Sequence, residues 1–233
     1  MTPSIAAGAR FQPASDQSLL VYFGGQITLE SHRQVVGLLR LLESEPVSGF
    51  RNLHPAYCSL LVKFDALRLT HEDVEGILRR HLDRLESLPL PEPREKAVPV
   101  CYGGDYGPDL PEVCALRGMT SAQVIELHSS VLYTVYFLGF VPGFAYLGQL
   151  PERLETPRLA VPRRSVPSGS VGIAGSQTGV YPFSTPGGWR LLGRTPIQMF
   201  RADQNAMSLL TIGDRVRFRP ISSDEFVALE KMR

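Results

Sequence analysis

The chain has 233 residues, 43% of them apolar and 20% charged, with a formal net charge of +1. That profile excludes a disordered chain, and it lacks the basic surplus of a protein that binds nucleic acid mainly through phosphates. No run of about 18 apolar residues exists, so no transmembrane helix is expected, and Pro13 and Asp16 interrupt the N-terminal segment where a signal peptide would need a continuous apolar run. Three cysteines, Cys58, Cys101 and Cys114, with no C-x-x-C spacing, argue against a disulfide framework and a structural zinc site, and for a reducing, cytoplasmic compartment.

In chain order, SLLVYF (18–23) predicts a strand followed by a Gly24-Gly25 turn. Thr28 caps a helix to about Glu43, with Val35, Leu38, Leu39 and Leu42 on one face and Gly37 interrupting its middle. Residues 47–53 and 57–64 predict the next strand pair, with Cys58, Leu60, Val62 and Phe64 pointing to one side and the face bearing Lys63 turned to solvent. Thr70 and Asp73 form a capping box for a second helix whose buried stripe is Val74, Ile77, Leu78, Leu82 and Leu85. These elements describe a small two-layer α/β sandwich over residues 1–90. The proline-rich segment LPLPEPREKA (88–97) cannot continue the helix and marks a domain boundary.

The second domain, 97–233, opens with the strand VPVCY (98–102). Helices follow at about 110–117, ended by Gly118, and 121–129, started by a Thr120/Gln123 capping box. LYTVYFL (132–138) is an apolar strand. Residues 139–196 then hold 10 Gly and 8 Pro, a density that suits short strands in a β-barrel and no helix of normal length. Strands at 207–212 and 215–220 and a helix starting at Ser222 complete an α+β chain.

Familiar self-contained chemistry is missing from the sequence. None of the three lysines follows a glycine, so there is no P-loop, and none sits between methionines as a biotin carrier requires. There is no H-E-x-x-H, EF-hand loop or G-x-S-x-G elbow. What remains is the constellation GFVPGFAYLG (139–148) and VPRRSVPSGSVGIAGSQTGVYPFSTPGGWRLLGRTP (161–196). Its glycines let backbone approach a ligand. Ser168, Ser170, Gln177, Thr178, Ser184 and Thr185 add short polar arms, and Arg163, Arg164 and Arg190 add charge suited to a carboxylate or phosphate. Tyr181, Phe183 and Trp189 supply flat walls, a combination that fits a small anionic amide. The plainer reading stands beside it: Gly/Pro loops also close any small barrel, and polar arms also tie loops together. Trp189 suits a core, an interface or a pocket wall. His128 near a helix end is more often a packed ring than a catalyst.

ELHSSVLYTVYFLGFVPGFAYLGQLP followed by TPRLAVPRRSVPSGSVGIAGSQTGVYPFSTPGGWRLLGRTP closely resembles the 5-oxoprolinase B-subunit family, also named allophanate hydrolase subunit 1 or KipI-like, over roughly residues 97–220. The resemblance implies a cyclophilin-like barrel of carboxyltransferase type behind a small α/β domain. It implies two partners, a larger homologous carboxyltransferase-type component and a LamB/YcsF-type component, that act with this chain to couple ATP hydrolysis to opening 5-oxoproline to glutamate. ATP with Mg would be held by the assembled complex, with no biotin on this chain, no nucleic acid and no membrane. By motif position the resemblance points to Arg163 and Gln177 for catalysis, and to Pro142, Gly143, Phe144, Ser170, Thr178, Tyr181, Thr185 and Trp189 for substrate binding; His128 is kept beside them as a catalytic candidate on its own account. Arg163 would hold a carboxylate or phosphate, and Gln177 would polarise the lactam carbonyl. The competing implications are inhibition of a sporulation histidine kinase, a urea carboxylase or allophanate hydrolase role, and prolyl isomerase activity, for which fold likeness alone is no warrant.

Overall fold

The computed structural model describes residues 8–85, 92–203 and 207–232, in two compact units that divide at Glu92/Pro93. The first unit is a four-stranded antiparallel sheet in the order β1-β2-β4-β3, formed by β1 (Arg10–Ser15), β2 (Ser18–Tyr22), β3 (Phe50–Pro55) and β4 (Ser59–Phe64). Helices α1 (Leu29–Ser44) and α2 (His71–Leu82) pack on it. Leu60, Val62 and Phe64 of β4 are buried while Lys63 is exposed, as the alternation in YCSLLVKF requires. The Thr70/Asp73 capping box of α2 is made in both directions.

Four sequence expectations change here. The edge strand β1 is an addition: RFQPAS alternates poorly and carries Pro13, which is tolerated only where a ladder is open on one side. Strand β3 starts at Phe50 rather than at 47, since residues 47–50 make a turn closed by Phe50 N–H to the Val47 carbonyl at 3.0 Å. Gly37 does not interrupt α1: it is buried inside the helix, where packing compensates for its low propensity. Leu85 lies beyond the end of α2, which stops at Leu82.

The second unit is a closed seven-stranded barrel, ordered β10-β7-β6-β13-β5-β12-β9 and closed by the β9/β10 hairpin. Its strands are β5 (Glu95–Tyr102), β6 (Leu132–Leu138), β7 (Ala145–Gly148), β9 (Ser170–Ala174), β10 (Gln177–Val180), β12 (Arg190–Arg194) and β13 (Arg215–Pro220). Outside it, β8 (Arg163–Val166) and β11 (Thr185–Gly187) form a two-stranded ribbon. Helices α3 (Leu110–Arg117), α4 (Ser121–Ser130) and α5 (Ser223–Lys231) complete the unit. The α+β class, with a barrel following the α/β sandwich, is therefore as the sequence suggests.

The expected strand at 207–212 is absent. Those residues make one isolated bridge, Ser208 to Phe200, and then a turn. Asp214 explains it. Its carboxylate accepts from Thr211 N–H at 2.8 Å and from the Arg94 guanidinium at 2.9 and 2.8 Å. This clamp joins the entry to β5 with the entry to β13, which run parallel from Arg215 opposite Glu95 to Pro220 opposite Val100. Among the described residues no helix is long and apolar enough to cross a membrane, and all three cysteines are free thiols.

Candidate functional site

The barrel strands have two unlike faces. Inward, Val171 and Ile173 of β9, Val180 of β10, Leu147 of β7 and Leu192 of β12 join one apolar core. Outward, Phe144, Val166, Ala174, Tyr181, Trp189 and Leu191 form a second, smaller cluster. Period-two alternation produces this split: Ala145 and Leu147 point in while Tyr146 points out, and Thr178 points in while its neighbours Gln177 and Gly179 point out.

The outward cluster is not fully covered. A cleft of about 250 Å3 opens in it, floored by Phe144, Tyr181 and Trp189 and rimmed by Phe140, Tyr146, Arg158, Pro162 and the Pro186–Gly188 segment. The aromatic rings meet edge to face, Phe144 with Trp189 at 5.4 Å and 85° and with Tyr181 at 5.3 Å and 75°, the arrangement that ring quadrupoles favour. Gly187 makes room for this packing. A Cβ there would stand 2.9 Å from ring carbons of Tyr181 and would also strike its hydroxyl.

A tight turn supplies two of the rings. Phe144 N–H donates to the Val141 carbonyl at 3.1 Å, and Val141 N–H to the Gly139 carbonyl at 2.8 Å. The second bond spans one residue, Phe140, whose φ of +69° puts a bulky side chain in the left-handed region. That is the strained γ-turn, rare in proteins, and such strain is concentrated at functional sites. Gly143, at φ +81°, lies where a Cβ would come within 2.6 Å of Phe200 Cβ. Pro142 is exposed at the tip.

Charge behind the cleft is paired. Arg163 Nη2 donates to Asp109 Oδ1 at 2.6 Å, and the other Asp109 oxygen accepts Leu191 N–H at 2.7 Å. Arg190 is ion-paired with Glu112 and donates from Nε to the Pro157 carbonyl at 2.9 Å. Arg158, at the rim, has no acidic partner among the described residues. Burial raises the pKa of Tyr146 and of Tyr181 above the usual phenol value, and the nearby Arg158 charge opposes the rise in both. Arg163 Nη1 and the Thr185 hydroxyl are buried with no hydrogen-bond partner among the described residues, a rare state for polar atoms.

Of the residues singled out by sequence, Phe144, Tyr181 and Trp189 line the cleft. Pro142 and Gly143 shape its turn, and Thr185 begins the strand β11 that forms its rim. Arg163 faces Gly187 across the ribbon and is committed to Asp109. Ser170 is buried, its carbonyl taken by Tyr181 N–H at 2.9 Å. Gln177 opens β10, half-buried and outside the lining.

His128 and Thr178 are elsewhere, inside the barrel. His128 is fully buried and stacks on Phe218 at 4.7 Å. The Thr178 hydroxyl donates to the Gly172 carbonyl at 3.0 Å, so it must accept from His128 Nε2–H at 2.9 Å. Nδ1 then carries the lone pair and accepts the Tyr102 hydroxyl proton at 2.7 Å. The ring is thereby neutral, and burial lowers its pKa from 6.5 to about 3. The chain of bonds satisfies a buried polar group, and no reactive atom of His128 or Thr178 reaches the cleft.

Sequence reasoning missed Arg158, Tyr146, Phe140 and Asp109. Strand alternation in AYLG would have turned Tyr146 outward with the cluster. Nothing local marks Arg158, and Asp109 meets Arg163 only across a sequence separation of 54.

Against known proteins, the carboxyltransferase domain, subdomain C and D, matches residues 9–210. The chain is 56% identical over 199 residues to the 5-oxoprolinase B-subunit of Escherichia coli O157:H7, covering 83% of this chain and 88% of that one. It is 38% identical over 232 residues to the 5-oxoprolinase B-subunit of Bacillus subtilis strain 168, covering 95% and 97%. The solved structure of the Kluyveromyces lactis urea amidolyase superposes with a TM-score of 0.75 over 96% of this chain and 15% of that one, at 17% identity, which is a likeness of fold.

Proposed function

The chain belongs to the 5-oxoprolinase B-subunit family of carboxyltransferase-domain proteins, and from that premise we propose that it is one component of an ATP-dependent 5-oxoprolinase, which opens 5-oxo-L-proline to L-glutamate. The observation that carries the reading is the outward cleft. Its volume suits a single-ring metabolite rather than a drug-sized ligand. Its walls are flat and apolar, and a cation stands at its rim. A small cyclic amide with a carboxylate has the matching properties.

The cleft does not fit a nucleotide. A triphosphate needs a cradle of backbone N–H groups or several cations, whereas Arg158 is the one rim cation without an acidic partner among the described residues. Among those residues no three His, Cys, Asp or Glu side chains are grouped to hold a metal ion. ATP and Mg are placed with the assembled complex, which this chain forms with a larger homologous carboxyltransferase-type component and a LamB/YcsF-type component. This chain's share of the work is to bind and orient the lactam ring, and to keep water from its apolar face until the assembly is complete. The barrel surface thus forms one wall of a composite site.

The test is reconstitution. The chain is mixed with both partner components, ATP and 5-oxoproline, and glutamate is measured. Glutamate formation that depends on this chain is expected, and a rate no higher than in a mixture lacking it contradicts the proposal.

A further inference from the structure

We propose that Arg158 is the carboxylate anchor of this site: its guanidinium grips the acid group of a five-membered cyclic amide whose ring lies against Phe144 and Trp189. The inference rests on the reading of the cleft as a 5-oxoproline site, and it assigns to Arg158 the role the sequence motif suggests for Arg163.

Three observations lead there. First, two of the competing arginines are spent, and the third, Arg164, is exposed outside the cleft lining. Arg163 is tied to Asp109, and Arg190 to Glu112 and the Pro157 carbonyl. Unlike Arg163 and Arg190, Arg158 keeps its planar fork of donors, the geometry that matches a carboxylate in two parallel bonds.

Second, Arg158 is held in place at its backbone although its side chain lies at the rim. The preceding carbonyl, of Pro157, accepts from Arg190 Nε at 2.9 Å, and the following amide, of Leu159, donates to the Gly188 carbonyl at 2.8 Å. Both clamps come from the segment that carries Trp189. The cation and the aromatic floor therefore move as one piece, which lowers the ordering cost of binding.

Third, the polar groups beside Arg158 suit an acid. The Tyr146 and Tyr181 phenols line the same cleft, and burial raises their pKa, so they set no negative charge against an acid at neutral pH. Phe140, 60% exposed on its strained turn, lines the same cleft and adds apolar surface for the ring of a bound ligand. An isolated phosphate would also answer to Arg158, but it would leave the apolar floor unused.

The sole tryptophan, Trp189, lines the cleft, so its fluorescence reports occupancy directly. Wild type, Arg158→Gln and Arg158→Lys would be titrated with 5-oxoproline, with 2-pyrrolidinone, which is the same ring without the acid, and with inorganic phosphate. The same variants would be assayed in the reconstituted complex for KM and kcat. Arg158→Gln should weaken 5-oxoproline binding and raise its KM by about tenfold or more, with kcat changed far less. Arg158→Lys should fall between, and 2-pyrrolidinone should bind all three alike. Melting temperature should not move, because the Arg158 side chain has no bonded partner among the described residues. Equal KM in wild type and Arg158→Gln overturns the anchor and leaves the enzyme reading intact. Phosphate binding as tightly as 5-oxoproline overturns the carboxylate assignment. Binding that depends on Arg158, with no glutamate formed by any complex, overturns the enzyme reading and leaves the anchor.

Discussion

On the inner face of β9 and β10, Val171, Ile173 and Val180 pack around a buried Tyr102–His128–Thr178 chain in which each hydrogen has a defined acceptor. On the outer face of the same strands, Gly172 and Gly179 leave room for Phe144 and Trp189, and the cluster remains open, with Arg158 at its edge. One set of strands thus carries a closed core and an unfinished one. The closed face is packed core, and the open face, with its cleft and rim cation, is where binding is to be sought.

This contrast can be broken most forcefully from the inside. His128→Ala opens a cavity and strands the Tyr102 hydroxyl, so it should cost about 4 kcal/mol in urea unfolding. A cost below about 1 kcal/mol would show that the inner network is not the support described. Arg163→Ala comes next. It leaves Asp109, whose side chain is 8% exposed, buried with only the Leu191 amide, and should cost about 3 kcal/mol. Adding Asp109→Asn should restore part of that. Turnover lost in Arg163→Ala with unchanged stability would instead move Arg163 into the site.

Acid sharpens the comparison further. The pKa of His128 is 6.5 in an unfolded chain and about 3 in the fold, so below pH 6.5 the unfolded chain takes up a proton that the fold refuses. Stability is complete above that pH and drains as pH falls toward 3, by up to about 1.4 kcal/mol per pH unit. Unfolding midpoints measured across this range should show the slope in wild type, and His128→Leu should lack this part of it. An identical slope in both would remove His128 as its source.

The sequence carried the architecture well where the signal was local. Capping boxes at Thr70 and Thr120, the alternation in YCSLLVKF and the Gly/Pro density of 139–196 each follow from short-range physics, and the structure repeats them. The site was legible only in part. Phe144, Tyr181 and Trp189 are flat residues in a Gly-rich run, and a cleft there needs such walls. The motif could not separate Thr178, which turns inward to His128, from Gln177, its neighbour on the outer face, because both are polar arms in one strand. Nor could it show that Arg163 is consumed by Asp109 while Arg158 is left at the rim. That distinction depends on contacts between distant segments, which no local pattern encodes.

The most direct measurement compares two substitutions of similar, modest stability cost, about 1–2 kcal/mol each, placed on opposite faces. Tyr102→Phe removes the hydroxyl that serves His128 on the inner face. Gly187→Ala pushes Tyr181 out of register on the outer one. In the reconstituted complex, glutamate formation should stay within about twofold of wild type for Tyr102→Phe and fall roughly 10–100-fold for Gly187→Ala. Equal losses, or a larger loss from Tyr102→Phe, would contradict the assignment of function to the outer face.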